Sequence, residues 1–268
     1  MNTSIYFKEL KRNRKSFFLW TPILVFICIL LTALYPQVAG DFKALINAKM
    51  VSENMQDFFG MRMDLWTNVL NYFSTYYGFH VIILSSIFSM VVGCTIIAKE
   101  EGDGTADFLL TRPLTRNQIV LSKICAYLTL LIALHIILSA LILIMFSLVQ
   151  NKNGYNMKSF WVMESYGFLL NLFFGFMGMF LSVLIKRGKS FVGPGVGIVL
   201  GSFIFEAISR IDASVRWLGY ISPFYFVDFK VYKTDYGFTW WMVLFLIGSS
   251  AAFIYATFTV YRRKDIYA

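Results

Sequence analysis

The chain has 268 residues, of which 58% are hydrophobic and 18% are aromatic, and its formal net charge is +9. This composition excludes an ordinary soluble globular domain. The apolar runs are continuous and lack the alternation of transmembrane barrel strands. The sequence therefore predicts an all-α integral membrane protein.

Six apolar segments are long enough to cross about 30 Å of hydrocarbon as helices. The first follows a basic stretch, residues 1–16, which predicts an amphipathic helix lying in the membrane interface. No internal repeat or linker divides the chain, so residues 1–268 are predicted to form a single transmembrane domain. The predicted spans are 17–35, 75–98, 118–150, 163–185, 190–210 and 237–261.

The basic residues gather on one side of this topology. An even number of spans places both termini on the same side. The segments on that side hold 15 of the 24 Lys and Arg and 6 of the 15 Asp and Glu, so they carry +9 and the remaining segments carry 0. The positive-inside bias predicts that both termini are cytoplasmic. The charge thus matches membrane topology and the anionic inner leaflet, and it predicts no nucleic-acid partner.

A polar segment with its own internal order, residues 99–123, separates the second and third spans. Either Asp103 or Thr105 can cap a short helix over residues 106–110, and Pro113 ends it. The segment therefore predicts a short helix on the cytoplasmic surface, followed by a turn and re-entry into the bilayer.

The re-entry point has the pattern of a capping box. Thr115 is followed three residues later by Gln118, so each side chain can bond the backbone N–H of the other residue. An apolar run starts at Ile119. This pattern predicts the start of the third membrane helix.

No residue pattern predicts a catalytic, cofactor or metal site. Gly188-Lys189-Ser190 matches the end of a phosphate-binding loop, but Val183 occupies the position of its first glycine. His80 and His135 lie singly in apolar helices without a second ligand at i+4. Each histidine is predicted to be a packed residue that hydrogen-bonds to a neighbouring helix.

The loop between spans two and three resembles that of the permease subunit of an ABC-2 type ABC transporter, with the type V exporter fold. The resemblance is specific over residues 99–123, moderate over 261–266, and otherwise one of topology. The basic N-terminal segment Lys8–Phe18 also fits. The loop residues that carry it are Glu100-Glu101, Gly104-Thr105, Leu109-Leu110, Pro113, Arg116 and Lys123.

The resemblance implies a division of labour between membrane and soluble subunits. Two permease units would pair with two separate ABC ATPase subunits, and the loop would supply the coupling helix. This chain would bind no cofactor itself, because ATP and Mg would bind to the partner ATPase. The coupling residues so implied are Glu100, Glu101, Asp103, Gly104, Thr105, Asp107, Phe108, Leu109, Leu110, Pro113 and Arg116.

Two further features suit this family. Gly193, Gly197 and Gly201 recur at i, i+4 and i+8, which favours a close helix contact with either a second permease unit or a neighbouring span. Glu206 and Arg210 lie i, i+4 near the outer end of span five, either as an outer gate or as a self-paired couple. An outer segment of short helices is expected between spans five and six.

The functional hypothesis is therefore an exporter permease in the plasma membrane of a bacterium. Phenylalanine and methionine are abundant in the spans, and no deep charged cluster marks an ion path. These features favour a hydrophobic or amphipathic substrate such as a peptide, an antibiotic or a lipid. The alternative is a non-transporting membrane scaffold or sensor whose loop binds another cytoplasmic partner.

Overall fold

The computed structural model describes residues 1–47, 68–102, 115–149, 154–184 and 192–263. The described residues form helices and contain no strand. A π-helical turn, Tyr77–Val81, joins the second and third helices, and two 3₁₀ helices, Ala213–Ile221 and Pro223–Phe226, precede the last one. The α-helices are α1 (Thr3–Asn47), α2 (Val69–Tyr76), α3 (Ile82–Gly102), α4 (Arg116–Val149), α5 (Met157–Leu184), α6 (Val192–Ser209) and α7 (Trp240–Arg263).

Within the described ranges, six helical stretches are long and apolar enough to cross a membrane. The all-α membrane fold predicted from the sequence is confirmed. The second stretch includes α2, the π-helical turn and most of α3, because the helix continues through the turn. The stretches are Thr3–Val38, Val69–Ile97, Arg116–Val149, Met157–Leu184, Val192–Ser209 and Trp240–Arg263.

The first helix begins well before the first predicted span. α1 continues without a break from the basic N-terminal segment into the apolar run and passes through Pro22 and Pro36. Its 45 residues correspond to about 68 Å of helix, which is more than twice the thickness of the hydrocarbon layer. Ile5, Glu9 and Asn13 share one face of the N-terminal part and are buried. The N-terminal segment therefore packs against protein as well as facing outward.

α3 and α5 form the centre of the bundle and pack against each other more extensively than any other pair of helices. A Cβ atom on Gly93 would collide with the carbonyl oxygen of Gly175, and one on Gly178 would lie 2.8 Å from that of Met90. Side chains larger than hydrogen do not fit there, so the two backbones lie in direct contact.

The other helices surround this pair. α1 packs on α4, α6 packs on α3 and the first 3₁₀ helix, and α7 packs on α5. Large apolar side chains such as Phe26, Ile136 and Leu244 are exposed on the outside of the bundle, as expected for contact with lipid. We call the end of the bundle with the start of α1 and the end of α7 the termini end, and the end with the 3₁₀ helices the hairpin end.

Candidate functional site

The start of α4 is held from two sides at the termini end. On one side, the backbone N–H of Asn2 donates to Ser122 Oγ at 2.8 Å. On the other side, Arg116 Nη1 donates to the carbonyl oxygens of Tyr261 at 3.2 Å and Arg262 at 2.9 Å. The last carbonyls of a helix lack partners within the helix and carry partial negative charge, so a guanidinium satisfies them well. Both ends of the chain thus meet at α4.

The capping box predicted at the start of α4 is confirmed. The backbone N–H of Thr115 donates to Gln118 Oε1 at 3.1 Å, and the N–H of Gln118 faces Thr115 Oγ1 at 3.3 Å. This reciprocal pair satisfies two backbone donors that the first turn of the helix leaves open. It fixes where the chain leaves the 103–114 segment and becomes helix.

A buried ion pair lies about two turns after the start of α4. Lys123 Nζ lies 3.2 Å from Glu9 Oε1, and both side chains are fully buried. The same ammonium donates to the carbonyl oxygen of Ile96 on α3 at 2.5 Å. Arg12 Nε lies 3.8 Å from Glu9 Oε2, and Asn13 Nδ2 donates to the Glu9 carbonyl oxygen at 3.0 Å. Glu9 therefore joins α1 to α4, and Lys123 joins both to α3.

Sequence reasoning missed this pair. The sequence places Lys123 in the polar segment between spans two and three, and it indicates no role for Glu9. The available signal is that Glu9 is the single acidic residue in the basic segment 1–16. Its partner lies 114 positions away, so the pairing itself requires the three-dimensional arrangement.

The predicted coupling residues lie at or between the ends of α3 and α4. Arg116 is the first residue of α4 and makes the contacts described above. Glu100 and Glu101 belong to the last turns of α3. The remaining predictions fall outside the described residues: Asp103, Gly104, Thr105, Asp107, Phe108, Leu109, Leu110 and Pro113.

The glycine series of α6 faces open space. A Cβ atom on Gly193, Gly197 or Gly201 would meet no atom within 4 Å, whereas one on Gly195 would lie 3.1 Å from Cys94 Sγ. Among the described residues, no neighbouring span covers this face. Gly195, on the opposite face, is the glycine of α6 that packs inside the bundle.

Glu206 and Arg210 form an ion pair in the wall of a cavity at the hairpin end. Arg210 Nε lies 2.6 Å from Glu206 Oε1, while Glu206 Oε2 has no hydrogen-bond partner among the described residues. The cavity has a volume of about 530 Å³ and is also lined by Arg216, Asp228 and Lys230. Partial desolvation by the cavity walls lowers the pKa of Lys230, which is exposed as a residue, although nearby Asp228 opposes this shift. The pair predicted from the sequence thus belongs to a larger charged cavity.

The two histidines differ in their surroundings. His135 Nδ1 lies 3.3 Å from Glu164 Oε2, and its Nε2 lies 3.0 Å from Asn171 Nδ2. The hydrogen bond to a neighbouring helix predicted for His135 is confirmed. His80 packs against the rings of Tyr76 and Phe79 in its own helical stretch. The described residues hold no group of three or more His, Cys, Asp or Glu that could bind a metal ion.

Comparison with known proteins identifies a family for nearly the whole chain. The family model described as ABC-2 family transporter protein matches residues 3–266. No curated protein matches the chain.

Proposed function

Because the chain belongs to the ABC-2 transporter family, we propose that it is the permease subunit of an ATP-driven exporter. Membership of the family supports a multi-pass membrane protein that works with ABC ATPase subunits. In this proposal the chain has no ATPase site of its own, and ATP and Mg bind to the partner. Its termini end faces the cytoplasm of a bacterium, and its hairpin end faces outward, as the distribution of basic residues indicates.

The observation that most supports this role is the attachment of both sides of the 103–114 segment to the bundle. On the α3 side, the Ile96 carbonyl accepts a hydrogen bond from Lys123, which is itself paired with Glu9 of α1. On the α4 side, Arg116 binds the end of α7. A force applied to this segment would therefore act on four helices together, as rigid-body coupling requires.

The segment also has the composition of a docking surface. Phe108, Leu109 and Leu110 would form an apolar anchor, with Asp107 and Arg112 in a charged rim. We propose that each of two ATPase subunits binds this segment of one permease. Closure of the ATPase pair on ATP would then displace the ends of α3 and α4.

A second permease copy would complete the translocation path. The open face at Gly193, Gly197 and Gly201 would allow another helix to approach α6 closely, because no side chain stands between the backbones. The path would release a hydrophobic or amphipathic substrate, such as a peptide, an antibiotic or a lipid, near the cavity of Glu206 and Arg210 at the hairpin end.

A pull-down from native membranes in mild detergent tests the proposal. Wild type is compared with the double variant Leu109→Asp/Leu110→Asp, which places two charges in the apolar anchor. The proposal expects an ABC ATPase subunit to copurify with wild type, to hydrolyse ATP at a rate that responds to the permease, and to be lost from the variant.

A matched control places the same charges at the hairpin end. Tyr220 and Ile221 are adjacent and both largely exposed, so Tyr220→Asp/Ile221→Asp should leave the ATPase bound. If no ATPase copurifies, or if both double variants retain it equally, the segment does not couple to an ATPase. A scaffold or sensor role would then replace the exporter role.

A further inference from the structure

The charged cavity at the hairpin end contains more positive than negative side chains. Its walls come from α2, the π-helical turn, the end of α6, both 3₁₀ helices, the segment that follows them and the start of α7. Its volume of about 530 Å³ is sufficient for a small polar group. Four cations and two carboxylates line it, an excess of two positive charges: Glu206, Arg210, Arg216, Asp228, Lys230 and Lys233.

Each of the two carboxylates already holds one cation. Arg210 Nε lies 2.6 Å from Glu206 Oε1, and Lys233 Nζ lies 2.5 Å from Asp228 Oδ2. The other two cations of the cavity, Arg216 and Lys230, form no ion pair with any described residue. Both are exposed as residues, so a ligand that enters the cavity can reach them. Two accessible positive charges therefore lack a counter-ion.

The cations of the cavity lie close enough to repel one another. Partial desolvation lowers the pKa of Lys230, and the positive charges of Arg210 and Lys233 lower it further. Asp228 and Glu206 act in the opposite direction without cancelling the shift. A charged group is disfavoured both by desolvation and by like charges, whereas an adjacent opposite charge favours it. An anion in the cavity would therefore stabilise the ammonium group of Lys230.

The surroundings of the cavity indicate where such an anion comes from. Exposed tryptophan and tyrosine side chains concentrate at the level of the lipid headgroups in membrane proteins. The same end of the bundle carries four of them: Trp217, Tyr220, Trp240 and Trp241. Ile204 and Phe205, which precede Glu206 on α6, are also exposed and offer an apolar surface beside the cavity. The cavity thus lies at headgroup depth, next to a surface that suits acyl chains.

We propose that this cavity binds the phosphate group of an anionic phospholipid between Arg216 and Lys230, with the acyl chains along the exposed apolar side chains of α6. A guanidinium can bind two phosphate oxygens at once, and an ammonium adds a point charge. Phosphatidylglycerol should bind better than phosphatidylcholine, because choline would bring another cation to a cavity that already has an excess. The lipid in this proposal is resident, so the proposal depends neither on the transported substrate nor on an ATPase.

Acetylation of lysines by sulfosuccinimidyl acetate, followed by peptide mass spectrometry, tests this proposal on the full chain in nanodiscs. The rate at Lys230 is divided by the rate at Lys158, an exposed lysine at the same end that does not line the cavity, which corrects for the membrane surface potential. Replacing phosphatidylcholine by phosphatidylglycerol should lower this ratio about fivefold, since a bound phosphate shields the amine and keeps it protonated. Inorganic phosphate added to phosphatidylcholine nanodiscs should leave the ratio unchanged.

Two variants separate the site from general electrostatic effects. Arg216→Gln should abolish most of the protection of Lys230 by phosphatidylglycerol, because the phosphate loses its guanidinium partner. Arg14→Gln removes the same charge at an exposed position at the termini end and should retain the protection in full. An unchanged ratio in phosphatidylglycerol, full protection in Arg216→Gln, or equal loss in Arg14→Gln would each overturn the proposal. Equal protection by inorganic phosphate would also overturn it, since the ligand would then be a soluble anion.

Discussion

Glu9 and Lys123 form a fully buried ion pair, 3.2 Å apart, although 114 positions of sequence separate them. The pair lies where α1, α3 and α4 meet, about two turns from the end of α3 and from the start of α4. Two charges taken out of water gain little net stability from each other, but removing one leaves the other buried without a counter-ion. Such a pair chiefly fixes the relative position of the helices that carry it, and here it sets the position of α1 against α4.

Lys123→Met is expected to lower the free energy of unfolding by about 3 to 5 kcal/mol, because Glu9 remains buried without its ammonium partner. Denaturant unfolding in detergent micelles, followed by tryptophan fluorescence, measures this change. The double variant Glu9→Gln/Lys123→Met should recover part of the loss, since no unpaired charge remains. Lys15→Met, at an exposed position in the same basic segment, should change stability by less than about 0.5 kcal/mol. A loss in Lys123→Met no larger than in Lys15→Met would contradict the role of the pair.

Gly93→Ala or Gly175→Ala is expected to destabilise the bundle by about 1 to 3 kcal/mol or more, because a methyl group does not fit between α3 and α5 at Gly93 or between α4 and α5 at Gly175. The added Cβ atoms would collide with the Gly175 carbonyl oxygen and the Tyr127 hydroxyl, respectively. Gly248→Ala provides the control, since a Cβ atom there meets nothing within 4 Å. Thermal unfolding of the three variants measures the difference. Equal melting temperatures would show that the contacts of α5 with α3 and α4 adjust to the methyl group.

The sequence alone predicts the features that depend on neighbouring residues. The length of each apolar run sets the number of spans, and the Thr115–Gln118 spacing fixes a helix start, because both depend on residues close together in the chain. The ion pair of Glu9 and Lys123 depends instead on how α1 and α4 are placed, which no local pattern contains.

Glycine spacing illustrates the same limit. The regular series Gly193, Gly197 and Gly201 predicts a close helix contact, yet this face of α6 is open in the described structure. The close contact between α3 and α5 occurs at Gly93 and Gly175. These glycines lie in different helices, so no spacing along the sequence relates them. A contact between helices is specified by both surfaces, so a pattern on one helix identifies a smooth face without identifying what covers it.

If two permease copies pair through α6, as we propose, Gly197→Leu is expected to weaken their association while leaving each copy folded, because the side chain would project from the open face of α6. Size-exclusion chromatography with light scattering at several protein concentrations measures the fraction of dimer. Gly248→Leu adds the same side chain at an open position on α7 and should leave the dimer fraction unchanged. Equal dimer fractions in the two variants would show that copies of the chain do not associate through this face of α6.

Arg116→Ala is expected to loosen the last turn of α7, because the carbonyl oxygens of Tyr261 and Arg262 lose their guanidinium donor. A charge-assisted hydrogen bond at a partly exposed helix end is worth about 1 kcal/mol, so amide exchange in this turn should accelerate roughly fivefold. Hydrogen–deuterium exchange with mass spectrometry measures the rates for peptides that cover the end of α7. Arg14→Ala, at an exposed position on α1, should not change them. Unchanged exchange in Arg116→Ala would mean that other contacts hold this turn.

The stability of the hairpin end is expected to depend on pH through Lys230. Lys230 is exposed as a residue, but the walls of the cavity partly desolvate its ammonium group, and this lowers its pKa in the folded protein below the 10.5 of the free side chain. Between the folded pKa and 10.5 the unfolded chain binds more protons, so the contribution of Lys230 to the free energy of unfolding rises with pH. Below the folded pKa the full cost of this partial desolvation of the charge is present. Lys230→Met should therefore be more stable than wild type at neutral pH, and this advantage should shrink as the pH approaches 10.5.

Denaturant unfolding of wild type and Lys230→Met across this pH range measures that advantage. Lys158→Met, at an exposed position that does not line the cavity, supplies the matched loss of one charge at the same end of the bundle. Taking the difference between two proteins at each pH removes the contribution of groups that both share, including Tyr236, whose pKa is raised by burial. If the stability advantage of Lys230→Met stays constant or grows as the pH rises, the charge of Lys230 is offset in the cavity, with Asp228 and Glu206 as the acidic neighbours that compensate for its partial desolvation.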